Sequence, residues 1–382
     1  MNHITYTNHM AVTRPVLTIK PAMRVVALEE AFLHPKLRAL YPPEYVKQLD
    51  LIIERLTDVG PERIKRMDAA GISLQVLSHV SPGVQTLDTE TAVRLSTEIN
   101  DWLGELISKY SDRFAGFAML PMQSPNDAAE ELERTVKKLG FKGALINGHT
   151  RGLYLDHESY AVVLDRAQQL DVPIYIHPTD PPQRVSEIYY KDYPAMVTGG
   201  WGWQVETGTH LLRMISGGVF DRYPRLKIIV GHMGELIPYN LQRINKSLTL
   251  GNWLIGEQKG MQKSVYYYMR QNVFITTSGV FDQAAFECAL KEVGIDNLLF
   301  SVDDPFGDNF EAMEFLKATN LSPADKVKLA SGNAGRVLGL LPTGSSDQNS
   351  RWAKSPLNLN FFSFKARLKS KLGRMILSFL VK

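Results

Sequence analysis

The chain has 382 residues, 44% hydrophobic and 22% charged, which is globular composition and excludes a disordered or fibrous chain. One cysteine, Cys288, excludes a disulfide scaffold and any Cys-rich metal site; on its helix it reads as a small core residue. The net charge of +3 is unevenly placed: Arg351–Lys382 holds eight basic residues and no acidic one, leaving 35 basic against 40 acidic upstream. A mildly acidic body gives no reason to expect nucleic-acid binding.

Residues 1–23 form a polar, proline-broken arm without the apolar core of a secretory signal. No apolar run is long enough to cross a bilayer, so a soluble, cytoplasmic protein is expected. From residue 24 to residue 342 short β-branched runs alternate with longer helical stretches. The strand-like runs are Arg24–Leu28, Leu74–Ser78, Gly116–Leu120, Gly143–Ile146, Pro173–Ile176, Lys227–Val230, Val273–Thr276 and Leu298–Ser301. Between them helices are predicted over Pro61–Ala70, Thr91–Tyr110, Pro125–Leu139, Ser159–Leu170, Gln204–Arg222, Leu236–Leu248, Gln283–Val293 and Asn309–Ala318. Pro125 stands at a first helical position, and Gly71, Gly140 and Gly294 stand where left-handed caps belong.

Eight alternating units make a parallel α/β fold and are the number that closes a (β/α)8 TIM barrel. An open doubly wound sheet would carry a glycine-rich phosphate loop, and none follows any strand. Two long interruptions, Leu33–Gly60 and Pro178–Trp203, follow strand C-terminal ends, where barrels build their active sites. Residues 343–350 read as a linker, and 351–382 as a basic amphipathic tail with Phe361, Phe364, Leu368, Leu372, Met375 and Phe379 in one stripe. The tail implies at most a weak contact with an anionic membrane surface; a terminal helix docked on its own protein, or a dispensable extension, is the preferred reading.

The residues at the strand ends converge on one mouth in a barrel. They are Glu29, Asn147-Gly148, His177, Gly231-His232-Met233-Gly234-Glu235 and Asp303. Each has an ordinary reading alone. Glu29 is a loop acid, Asn147-Gly148 a turn pair, Glu235 a first-turn acid, and Asp303 the start of a turn with Pro305. His177 alone is a packed or solvated histidine. Two carboxylates and two histidines at one mouth are nevertheless the residue types that hold a divalent metal. His79 follows the second strand without a partner pattern, and Trp201 and Trp203 are equally suited to packing and to stacking on a flat ligand.

Four stretches carry a resemblance: Ala27-Leu28-Glu29-Glu30-Ala31-Phe32, Pro173-Ile174-Tyr175-Ile176-His177-Pro178, Gly231-His232-Met233-Gly234-Glu235 after Tyr223-Pro224, and Phe300-Ser301-Val302-Asp303-Asp304-Pro305-Phe306. From about Arg24 to Leu341 the chain resembles the amidohydrolase-superfamily metal-dependent decarboxylases, in the hydroxybenzoate (2,3-dihydroxybenzoate and γ-resorcylate) branch. The resemblance implies one divalent ion (Mn, Mg or Zn) on Glu29, His177 and Asp303, and no organic cofactor. It implies that Asp303 serves as acid, that His232 oriented by Glu235 faces a small aromatic acid, and that Arg243, Asn147 and Phe32 line its pocket. Relatives associate, so a homo-oligomer, dimer or tetramer, is expected. Two positions depart from the pattern. Ala31 stands where many relatives carry a third-position histidine, which leaves fewer protein ligands and counts against a hydrolase. Asp304 stands where relatives carry an aromatic residue, which implies an altered wall against the ring. The expected activity is non-oxidative decarboxylation of an ortho-hydroxybenzoate. The alternatives are a metal-dependent hydrolase of a lactone or amide, and a non-catalytic binding barrel.

Overall fold

The computed structural model describes residues 23–255 and 260–340. Nearly all of the N-terminal arm, and the whole linker and basic tail, lie outside the described residues. The strands are β1 (Val26–Phe32), β2 (Leu74–His79), β3 (Phe114–Gly116), β4 (Ala118–Met119), β5 (Ala144–Asn147), β6 (Ile174–His177), β7 (Ile228–Val230), β8 (Val273–Thr276) and β9 (Leu298–Leu299). Their order is sequential and every pairing is parallel. β3 and β4 are two halves of one strand: the Phe117 N–H donates to Leu77 on one side, and the Ala118 N–H to Gly143 on the other. The eight predicted strands are therefore present, and the fold is the expected (β/α)8 barrel.

Alternate strand residues point inward. Val26, Leu28, Leu74, Val76, Phe117, Leu145, Tyr175, Ile229, Phe274 and Leu299 fill the barrel, and Ala334, Val337 and Leu338 from the helix Asn333–Leu338 pack with them. The opposite strand faces pack on the surrounding helices in a second, larger core. Strands buried on both faces are what parallel sheets require.

Several expectations are corrected in detail. β1 runs on to Phe32, so Glu29 lies inside the strand, where a register shift between Ala27 and Glu30 re-aims it. The predicted helix Gln204–Arg222 is two helices, Gly202–Ser216 and Val219–Arg222, divided at Gly217 and at Gly218 with its φ of 67°. Gly71 and Gly140 are left-handed caps, but Gly294 is not: its ψ is 159°. A helix at Val265–Gln271, capped by Ser264, absorbs the tyrosine run Tyr266–Tyr268. Cys288 is only partly buried. Among the described residues no helix is long and apolar enough to cross a membrane.

The junction of β9 with β1 is made largely by side chains. Ser301 Oγ accepts from the N–H groups of Glu29 (2.8 Å) and Leu28 (3.3 Å), and the Ala31 N–H donates to the Asp304 carbonyl at 2.8 Å. Arg63, fully buried on the helix Pro61–Ala70, donates to the Ala31 carbonyl (2.8 Å) and to Gln75 Oε1 (2.7 Å), and lies 3.0 Å from Asp304 Oδ2. Removing one member of a buried ion pair leaves the other charge unpaired. Arg63→Met is therefore expected to cost about 3 kcal/mol in urea unfolding. A loss below about 1 kcal/mol would show the pair to be incidental.

Candidate metal centre

The strand ends bring Glu29, His177, His232, Glu235 and Asp303 together. Glu29 is 2% exposed, and its two oxygens have different surroundings. Oε2 accepts the Tyr175 hydroxyl proton, and Thr276 Oγ1 stands 2.9 Å from the same tyrosine oxygen. Burial and the neighbouring Glu29 push Tyr175 well above the ordinary phenol range, so it stays a donor. Oε1 is buried without a hydrogen-bond partner and lies 3.4 Å from His177 Nε2 and 3.8 Å from His232 Nε2.

His177 Nδ1 lies 2.8 Å from the Pro178 carbonyl, an acceptor only. The proton therefore sits on Nδ1 and the Nε2 lone pair faces Glu29. Burial lowers the His177 pKa, against Glu29, which raises it. His232 is built differently. Its Nδ1 pairs with Glu235 Oε1 at 2.8 Å, and its Nε2 lies 3.7 Å from Asp303 Oδ2. Burial opposes charge on this ring, but Glu29, Glu235 and Asp303 outweigh it and hold its pKa well above the usual imidazole value. Asp303 is pushed up to about 7, first by burial and then by Glu29 and Asp304, against its contact with His232. Glu235 is raised by burial, against His232.

The loop that presents His232 and Glu235 is strained. His232, Met233, Gly234, Glu235 and Leu236 all have positive φ, from 47° to 84°, and Asp303 has φ 74°. Sequence expectation made Glu235 a first-turn acid of the next helix; its left-handed conformation sets it before that helix and turns it back on His232. Gly231 must be glycine for a spatial reason, because a Cβ there would stand 2.7 Å from Glu29 Oε2 and 3.0 Å from the Tyr175 hydroxyl.

The remaining expected residues divide. Asn147 is buried at the end of β5, with Oδ1 unpartnered and its backbone held by Gln85. Phe32 is not turned to the cluster; it packs against His79 and Trp102 at ring distances of 5.2 and 5.5 Å. Arg243 is exposed on the helix Ile237–Ile255 and is likewise not joined to the cluster. His79 is structural: its Nε2 accepts from the His34 N–H, and burial pulls it down to about 4. Asp304 is fully buried and paired with Arg63 and Arg55. Two surface clefts of about 320 and 520 Å3 lie among outer elements, and neither is lined by a residue of this cluster.

Sequence reasoning missed Tyr175, Thr276 and Arg55, and left Trp203 open between packing and stacking. Tyr175 precedes His177 by two and so shares its inward face, a signal that was present in the alternation. Trp203 stands beside His177 with ring centres 6.3 Å apart, and its Nε1–H donates to Asp180 Oδ1 at 2.7 Å.

A divalent ion fits these residues. Donors each about 2.1 Å from one ion stand roughly 3–3.5 Å apart, near the Glu29–His177 separation of 3.4 Å. Glu29 Oε1 is a buried anionic oxygen with no other partner, and His177 offers a free lone pair. Among the described residues no three His, Cys, Asp or Glu side chains are closed into a finished ligand set. Asp303 meets the others through His232.

The amidohydrolase family profile matches residues 54–340. The chain is 38% identical to the γ-resorcylate decarboxylase of a Rhizobium species over 327 residues, covering 82% of this chain and 98% of the relative. A crystal structure of 2,6-dihydroxybenzoate decarboxylase with 2,6-dihydroxybenzoate bound superposes with a TM-score of 0.76, at 38% identity, covering 83% of this chain and 99% of the other. A Polaromonas dihydroxybenzoic acid decarboxylase, solved with manganese and the inhibitor 2-nitroresorcinol, gives 0.75 at 37% identity, covering 83% and 97%. The chain belongs to the amidohydrolase family, in the branch that holds the hydroxybenzoate decarboxylases.

Gly231→Ala is expected to weaken Mn2+ binding at least about tenfold, because it displaces the Glu29 carboxylate and its tyrosine support. Titration with Mn2+, read by the signal of the free ion, checks this. Unchanged affinity would mean that Glu29 does not hold metal.

Proposed function

We propose that this chain is a metal-dependent, non-oxidative decarboxylase of ortho-hydroxybenzoates such as 2,6-dihydroxybenzoate, 2,3-dihydroxybenzoate or salicylate, running in reverse at high bicarbonate. The observation that carries it is the convergence of Glu29, His177, His232 and Asp303 within 3.4–3.8 Å contacts at the strand ends. Two relatives whose names give this reaction share 38% and 37% identity with it.

Manganese, magnesium or zinc would be held by Glu29, His177 and Asp303, and would supply a positive centre for the ortho oxygen and one carboxylate oxygen of the substrate. Loss of CO2 from an arene needs a proton on the ring carbon first, since the bare aryl carbanion is too unstable. Asp303 is the acid assigned to that carbon. Beside a cation its carboxyl ionises, so its proton arrives from the substrate phenol or through His232, 3.7 Å away. The ring C–H bond forms, the C–CO2 bond breaks, and the electron pair of that bond restores aromaticity. His232, held in orientation by Glu235, then faces the substrate oxygen. The rigid strand ends hold acid and substrate in register.

Asp303→Asn is expected to lower kcat for CO2 release by about 10²–10⁴-fold, since it can hold shape but not deliver a proton. Chelation should abolish turnover and added Mn2+ restore it. Full activity in either state rejects the mechanism. Ring opening without CO2 release would favour the hydrolase reading instead.

The oligomer is a separate expectation. Leu51, Tyr189, Tyr193, Tyr239 and Phe310 are 55–99% exposed, and all lie on segments that follow strand C-terminal ends. Exposed apolar side chains of this number support self-association. Light scattering of the purified chain should show a dimer or tetramer; a monomer at micromolar concentration would reject it.

A further inference from the structure

We propose that Glu30 is a positioning residue for this reaction, fixing Asp303 against Glu29 through the seam between β9 and β1. The inference rests on the metal-dependent reading above. Glu30 is fully buried, next in sequence to Glu29 but turned away from the mouth. Its Oε1 accepts from the Val302 N–H (3.0 Å) and the Ser301 hydroxyl (3.1 Å). Its Oε2 accepts from the Asp304 N–H (3.0 Å) and Gln75 Nε2 (3.3 Å).

The two peptide N–H groups on either side of Asp303 thus end on one carboxylate. Asp303 has φ 74°, a conformation that non-glycine residues keep only when their surroundings hold it. Ser301, the third partner, also accepts from the Glu29 N–H at 2.8 Å. One side chain therefore ties the backbone of both carboxylates assigned to the metal, across 274 positions of sequence. No part of it needs to touch substrate.

The geometry makes Glu30→Gln informative. Glutamine offers one acceptor oxygen where glutamate offers two. Whichever way its amide turns, an NH2 then faces either the Val302 or the Asp304 N–H. The Ser301 hydroxyl can reverse its role, but a peptide N–H cannot, so one tether beside Asp303 is lost.

The test measures Mn2+ affinity of the full chain, kcat and KM for 2,6-dihydroxybenzoate, and thermal melting. Leu132→Ala, a core truncation in the outer helix Pro125–Leu139, serves as the stability control. Glu30→Gln should bind Mn2+ about 10–100-fold more weakly and lose kcat by a similar factor, while KM moves less than about threefold. Leu132→Ala should lower the melting temperature and leave Mn2+ affinity unchanged. If Glu30→Gln melts lower yet binds Mn2+ as the unsubstituted chain does, Glu30 is merely structural and the proposal is overturned. Should Glu30→Gln fail to fold, Glu30→Asp puts the same question. Its shorter arm keeps the carboxyl group but cannot span both N–H groups, and the same two results decide. Failure of the unsubstituted chain to bind Mn2+ would sink the metal-dependent reading itself, a different outcome.

Discussion

Two carboxylates, Glu29 buried and Asp303 partly buried, stand on either side of His232 at the mouth of this barrel, and the surrounding side chains answer that constraint. Burial and the neighbouring Glu29 both disfavour charge on Asp303. The chain meets this with asymmetry. One oxygen of Glu29 is taken by Tyr175, itself backed by Thr276, while the other is left without a donor beside a histidine lone pair. His232 stands between the acids with Glu235 behind it. Such an arrangement is unstable as a set of like charges and favourable around a cation.

Holding it costs backbone strain. A non-glycine residue with positive φ is disfavoured by about 1–3 kcal/mol, and the run from His232 to Leu236 holds four of them around Gly234. Strain of this size persists because β7 and β8, both fully buried, fix the surroundings. The tight loop delivers two side chains, His232 and Glu235, to one face within three positions. A regular helix start would have pointed Glu235 along the helix and away from the ring.

The legible part of the sequence was the part written in periodicity. Pro61–Ala70, Pro125–Leu139, Gln283–Val293 and Asn309–Ala318 are helices over the predicted bounds, because capping residues mark their ends. Glu29, His177 and Asp303 were legible because barrel topology sends strand ends to one place. The register shift in β1 was not, since nothing in Ala27-Leu28-Glu29-Glu30 announces an extra residue. Nor was Tyr175, which reads as one more hydrophobic strand residue until its hydroxyl is placed. Phe32 and Arg243 came from resemblance alone; Phe32 packs against His79 and Trp102, and Arg243 is exposed.

Asp304 shows how a departure from the family pattern is accommodated. An acid in place of an aromatic wall suggested a polar face against the ring. The side chain does not present one, because Arg63 and Arg55 hold its carboxylate, and Asn309 lies 3.4 Å from it. The Asp304 charge is therefore spent on these two arginines. Arg55 keeps about a third of its side chain exposed while one guanidinium nitrogen is 2.5 Å from Asp304. The pair neutralises a cation that would otherwise stand free beside the mouth. The aromatic side chain that the structure does bring to the site is Trp203, beside His177 and fixed through Asp180.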